Sequence, residues 1–205
     1  MTEPLATEIT LGGFVDFATA TASGRIAAVQ NVIDNEFGSY EPGRDFYRQI
    51  RLAIAEGIAN ADDVRRVQRA AAECSPRRRT HYEALEAGWT RWRRGKNLAV
   101  FSLPQHWQAE GLDVRVSPQF TWKQRTDTTL IWPYFKEAEL SRDAVQAAVR
   151  IMEQMFPSSH GRPAVLDIRR GRIYYAQKRR RNFDAWLSGE AAAFLSMLSS
   201  IRNVA

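Results

Sequence analysis

The side chains best suited to chemistry in this chain are three histidines, a few aspartates in strand-like segments, and arginines gathered into runs. His81, His106 and His160 fall in separate segments with no neighbour at metal-ligand spacing, and the lone Cys74 cannot supply paired thiolates. His81-Tyr82-Glu83 has the His-x-Glu outline of zinc deaminases but lacks the two cysteines such a centre needs. Gly88 to Gly95-Lys96 has the outline of a phosphate loop. Six residues separate its glycines where four are needed, and Asn97 stands where Ser or Thr would hold magnesium. Glycine-rich dinucleotide fingerprints and the Gly-x-Ser-x-Gly elbow are absent. Asp113, Asp127 and Asp167 would suit a metal-dependent nuclease, which needs carboxylates near basic residues. None of the four lysines follows an acidic residue at two positions, so the Asp/Glu-x-Lys signature of such nucleases is missing. On these grounds no catalytic residue, metal ligand or cofactor is assigned, and a non-enzymatic role is expected.

The arginines make a stronger pattern. The formal net charge is +6, yet residues 1–64 sum to −6, residues 65–96 to +7, residues 97–161 to −1, residues 162–181 to +7 and residues 182–205 to −1. Two basic blocks on a neutral or acidic body are the footprint of a polyanion partner or an acidic protein surface. The first block contributes Arg77, Arg78, Arg79, Arg91, Arg93, Arg94 and Lys96 as candidate anion-binding residues. The second contributes Arg169, Arg170, Arg172, Lys178, Arg179, Arg180 and Arg181. Arg77-Arg78-Arg79 and Lys178-Arg179-Arg180-Arg181 each stand before an expected helix, where cations oppose the helix dipole. A bound anion would reverse the sign of that interaction.

The second block is carried by an expected hairpin, Val165 to Ala176. A two-residue turn at Arg170-Gly171 would set Arg169 opposite Arg172, Ile168 opposite Ile173, Asp167 opposite Tyr174 and Leu166 opposite Tyr175. Leu166, Ile168, Ile173 and Tyr175 then share the core face. Two opposed arginines are unfavourable unless an anion lies between them.

The segments that must position these residues read as follows. Phe14 to Phe37 is helical, with a break expected at Ser23-Gly24, and Tyr40-Glu41-Pro42-Gly43 is a turn signal. A helix through Phe46, Ile50, Ile54 and Ile58 precedes a third that Asn60 would cap and that ends near Ser75-Pro76. Tyr82, Leu85, Trp89 and Trp92 form one face of a fourth helix, from about Thr80 to Arg94, and are read as core. Strands are expected within Leu98–Leu103, Asp113–Ser117, Phe120–Lys123 and Thr128–Phe135, with Pro118 and Pro133 at edges or bulges. Ser141 would cap a helix, and another follows Ser188.

The fold class expected is α+β, in the order ααα(α)-βββ-α-ββ-α. A helical bundle leads, and a mostly antiparallel sheet of about five strands covered by two helices follows. Residues 1–96 would form a helical subdomain and 97–205 an α+β subdomain, packed as one unit. Positions 1–10 lack the basic start of a signal peptide and no apolar run is long enough to span a bilayer, so a cytoplasmic location without membrane association is the expectation. The activity expected is binding of nucleic acid, or of a nucleoprotein partner, through phosphate contacts. The alternatives are an assembly or regulatory subunit that docks an acidic protein, as a homo- or hetero-oligomer with the Tyr82–Trp92 helix partly at an interface, and a metal-dependent nuclease.

Overall fold

The computed structural model describes residues 7–37, 45–177 and 181–204. A short strand, β1 (Thr7–Thr10), opens into helices α1 (Leu11–Thr19) and α2 (Ala22–Val32). Helices α3 (Arg48–Asn60), α4 (Asp63–Glu73) and α5 (Arg79–Arg93) follow. Then come strands β2 (Asn97–Val100), β3 (Gln105–Ala109), β4 (Leu112–Val116), β5 (Phe120–Lys123) and β6 (Thr128–Tyr134). Helix α6 (Arg142–Met155), strands β7 (Arg162–Asp167) and β8 (Arg172–Tyr175), and helix α7 (Phe183–Val204) complete the chain.

The class is α+β, and N-terminal helices followed by strands and then helices is the order read from the sequence, to which β1, ahead of the first helix, and β3 are added. The main sheet has five strands, ordered β2-β5-β6-β7-β8, and is antiparallel except where β6 and β7 run parallel. Helix α6 makes the crossover that a parallel pair requires. A second, three-stranded sheet, β1-β4-β3, adds to the single sheet expected; its β1 lies parallel to β4.

Helices cover both faces of the five-stranded sheet. Leu130 and Val165 face one core, shared with α1, α2, α6 and α7. Ile131 and Leu166 face the other, shared with Ile50, Val67, Leu85, Trp89 and Trp92 of α3, α4 and α5. Strands buried on both faces read as nearly continuous apolar runs, which is the pattern of Leu130-Ile131-Trp132 and Ala164-Val165-Leu166. Both cores draw on segments from either side of Gly95-Lys96-Asn97, and β1 pairs with β4 across it.

Local chemistry moves some boundaries. The first helical stretch breaks at Ala20-Thr21, not Ser23-Gly24, because the Thr21 hydroxyl accepts the Gly24 N–H and caps α2. Asn60 ends α3 instead of capping α4, with Ala61 in the left-handed conformation behind it. Helix α7 starts at Phe183, ahead of Ser188. Ser141 caps α6 as expected, accepting the Ala144 N–H at 3.1 Å. Pro133 sits in β6 beyond Ile131, the last residue paired with β5, so its missing N–H leaves no ladder bond unmade. The Tyr40–Gly43 turn lies outside the described residues.

Candidate functional site

The hairpin tip departs from the expected register by two residues. Asp167 stands opposite Arg172, Leu166 opposite Ile173, Val165 opposite Tyr174 and Ala164 opposite Tyr175. A slip of two keeps every side chain on its expected face, so Leu166, Ile173 and Tyr175 still share a side. The turn becomes a four-residue loop, Ile168 to Gly171, closed by a bond from the Gly171 N–H to the Ile168 carbonyl at 3.2 Å. Gly171 occupies the left-handed region at φ 59°, where a residue without Cβ is favoured.

Asp167 is the reason for the slip. Its fully buried carboxylate accepts the Arg170 N–H at 3.0 Å and the Arg170 Nη1 at 2.9 Å, an acidic cap on the loop. Ile168 is also buried, donating its N–H to the Tyr134 carbonyl and packing with the α5 residues. The expected opposition of Arg169 and Arg172 therefore does not occur. Arg172 faces Asp167, and Arg169 rises from the loop.

The loop lies directly on α5. A Cβ on Gly88 would stand 2.0 Å from the Ile168 carbonyl oxygen and 2.4 Å from that of Arg169, so only glycine allows this approach. Two side-chain contacts flank the seat. Arg169 Nη2 meets His81 Nδ1 at 3.0 Å, and Arg91 Nη2 donates to the Arg170 carbonyl at 3.2 Å. A guanidinium cannot accept a hydrogen bond, so His81 Nδ1 is the acceptor and its ring N–H is on Nε2. Arg78 adjoins this end, its guanidinium 5.5 Å from the centre of the Phe46 ring. Arg78 and Arg91 stand about 20 Å apart along the helix at 1.5 Å per residue, with the loop between them.

The other sequence-derived candidates are dispersed. Arg77 and Arg94 are exposed, and neither has an acidic partner among the described residues. Arg94 opens onto a cleft shared with Asp62, Arg65 and Gln68, between α4 and α5. Arg79 reaches back to the Ala72 carbonyl at the end of α4. Arg93 is committed to the interior: its Nε lies 2.9 Å from Asp63 Oδ2, and Trp89 Nε1 donates to Asp63 Oδ1 at 3.1 Å. Lys96 Nζ sits over two indoles, 5.0 Å from Trp92 and 5.1 Å from Trp122, and burial together with Arg93 lowers its pKa. Arg172 is exposed on the edge strand β8, next to Gly171, whose missing Cβ would lie 3.3 Å from Arg91 Nε. Arg181 lines a cavity with Arg25, Trp186 and Glu190 beside α7, on the opposite layer. Lys178, Arg179 and Arg180 lie outside the described residues.

Around Arg169 the structure adds residues that the sequence did not single out. Tyr47 precedes α3 and stacks on Phe135 at 6.0 Å; Phe46 meets the His81 ring edge-to-face at 5.2 Å. The Tyr82 hydroxyl donates to the Phe46 carbonyl at 2.8 Å, which fixes both aromatics from the core. Burial raises the Tyr47 pKa, and the facing Arg169 guanidinium opposes that through charge and hydrogen bonding. Glu137 follows β6: its carbonyl accepts Arg170 Nη2 at 2.8 Å, and its exposed carboxylate stands 3.9 Å from His81 Nδ1. Tyr47, His81 and Glu137 thus surround Arg169 at the carboxyl ends of the parallel strands β6 and β7. The one sequence signal for this seat is Gly88, a glycine inside a helical stripe, which marks close approach of another backbone.

The three aspartates considered for a nuclease do not converge. Asp113 is on β4 in the smaller sheet, 2.8 Å from His106 Nδ1; Asp127 precedes β6, and Asp167 ends β7 at the opposite end of that strand pair. Among the described residues no group of three His, Cys, Asp or Glu side chains is placed to hold a metal ion. Tyr82, Leu85, Trp89 and Trp92 are buried within the chain, which removes them as an external interface or a stacking surface. Cys74 is buried and unbridged. No helix among the described residues is long and apolar enough to cross a membrane. No protein-family model, curated protein or solved structure matches this chain.

Proposed function

We propose that the protein binds nucleic acid through its phosphates, along the basic surface formed where the hairpin loop rests on α5. The observation that carries this reading is the seat at Gly88, which sets Arg169 and Arg172 of the second basic block beside Arg78 and Arg91 of the first. The packing of Leu166 and Ile168 on α5 brings guanidinium groups some 80 residues apart in sequence onto one surface. The nearest buried carboxylates, Asp63 and Asp167, are already neutralised by Arg93 and Arg170, so they do not cancel the arginines at the surface. Guanidinium forks match phosphate geometry, and contacts of this kind supply affinity without reading sequence.

Docking to an acidic protein is the second reading. It lacks the support of the α5 tryptophans, which are occupied inside the chain. The two separate by salt response and competitor. Binding to mixed-sequence oligonucleotides should fall steeply with salt, with a log–log slope of about −3.6 for four phosphates neutralised by the four arginines on duplex DNA. An acidic polypeptide that binds while oligonucleotides do not would select the second reading.

A further inference from the structure

Resting on that reading, we infer that Arg169, Tyr47 and His81 form a discrete pocket for a terminal phosphomonoester, at the end of the basic surface where α5 begins. The donors differ in kind: a planar guanidinium, a phenolic hydroxyl and, because Nδ1 is held by Arg169, the Nε2–H of a neutral imidazole. Arg78 stands beside them, steadied on Phe46. Within the protein the Arg169 guanidinium meets His81 Nδ1 at 3.0 Å and hydrogen-bonds Tyr47, which ties the three groups together.

An internal phosphodiester offers two free oxygens and one charge, and the strand must leave on both sides. A terminal phosphomonoester offers three oxygens and about 1.5 to 2 negative charges, and the strand leaves on one side only. The surroundings match the second case. Toward Arg91 and Arg172 the surface carries cations, whereas on the other side Glu137, whose side chain is 74% exposed, stands 3.9 Å from His81 Nδ1 and Glu139 lies near Arg170. A strand that continued past Arg169 would run against those carboxylates, whereas one that ends there leaves on the basic side only. Phe46 packs edge-to-face on His81 and Phe135 stacks on Tyr47, which fixes the two rings beside Arg169. The shared chemistry is the phosphomonoester; a 5′ end and a 3′ end are its two sources.

The test is fluorescence anisotropy on the full chain with one oligonucleotide sequence carrying a 5′-phosphate, a 3′-phosphate or hydroxyls at both ends. One phosphorylated form should bind about tenfold more tightly than the hydroxyl form, the gain expected of one further charge-assisted hydrogen bond. In Tyr47→Phe and Arg169→Lys that ratio should fall to about one. In Arg91→Ala both affinities should drop and the ratio persist. A ratio of one for both ends in the unaltered protein overturns the pocket while leaving the basic surface intact, as does a ratio that survives both Tyr47→Phe and Arg169→Lys. Absence of binding by every form at low salt overturns the nucleic-acid reading and the pocket together.

Discussion

Arg169 Nη2 donates to His81 Nδ1 across 3.0 Å, joining residues 88 positions apart and fastening the hairpin loop to the first turns of α5. The contact orders two side chains that would otherwise sample solvent. It also turns a run of charges into a surface of defined shape, because the backbone beneath it is held at Gly88.

Gly88→Ala should expose how much that seat matters. Alanine favours an isolated helix over glycine by about 1 kcal/mol. Here its Cβ would overlap the Ile168 carbonyl oxygen at 2.0 Å, and both atoms belong to ordered backbone. Relief of overpacking of this kind costs about 1–3 kcal/mol, and a backbone overlap falls at or beyond the upper end. The net effect should be a loss of about 2 kcal/mol in chemical denaturation, together with a displaced His81 resonance. A more stable variant with an unchanged His81 would show that the loop is not seated there.

Arg93→Ala should act on stability. Asp63 is 3% exposed, and without Arg93 its carboxylate keeps, among the described residues, only the Trp89 N–H. Breaking a buried pair from one side costs about 3–5 kcal/mol; because Arg93 is partly exposed, about 2–3 kcal/mol is expected. The double variant Asp63→Asn/Arg93→Met, which removes the charge left behind, should recover much of the loss in the same denaturation experiment. A single variant within about 0.5 kcal/mol of the parent, the range of ordinary surface substitutions, would contradict the pairing.

How much of this is legible in the sequence depends on range. Alternation in Thr128–Phe135 and the spacing Tyr82, Leu85, Trp89, Trp92 are local signals, and they lead to the right class and the right buried residues. Strands β1 and β3 escape such reading because Thr7–Thr10 is four residues long and Gln105–Ala109 turns only Trp107 inward. Arg93 looks like its neighbours Arg91 and Arg94, since nothing local reveals that Asp63, 30 residues earlier, waits for it. Tyr47 and Glu137 reach Arg169 only through the packing of α3 and the crossover after β6. The loop register fails for a local reason: Asp167 reads as a strand residue, although an aspartate three positions before Arg170 can cap a turn.

Asp167→Asn should loosen the loop while preserving its fold. The amide oxygen can still accept the Arg170 N–H, but the ion pair to the Arg170 guanidinium is removed. A cost of about 1–2 kcal/mol is expected for a charge-assisted bond with one partner partly exposed. Hydrogen exchange at Arg170 and Gly171 should quicken more than at Leu166 in the strand. Equal exchange at all three would mean that Asp167 does not hold the turn.

On the proposed function, the arginines around the loop and α5 act as one phosphate-binding surface. The most direct measurement is the salt dependence of oligonucleotide affinity for the parent, for Arg91→Ala/Arg172→Ala on that surface, and for Arg94→Ala/Arg181→Ala away from it, each pair removing the same charge. Affinity in the parent should fall steeply with salt. The first pair should flatten the log–log slope by up to about 2, close to one for each phosphate no longer neutralised, while the second changes it far less. A flat salt response, no binding at low salt, or equal effects of the two pairs would contradict the account.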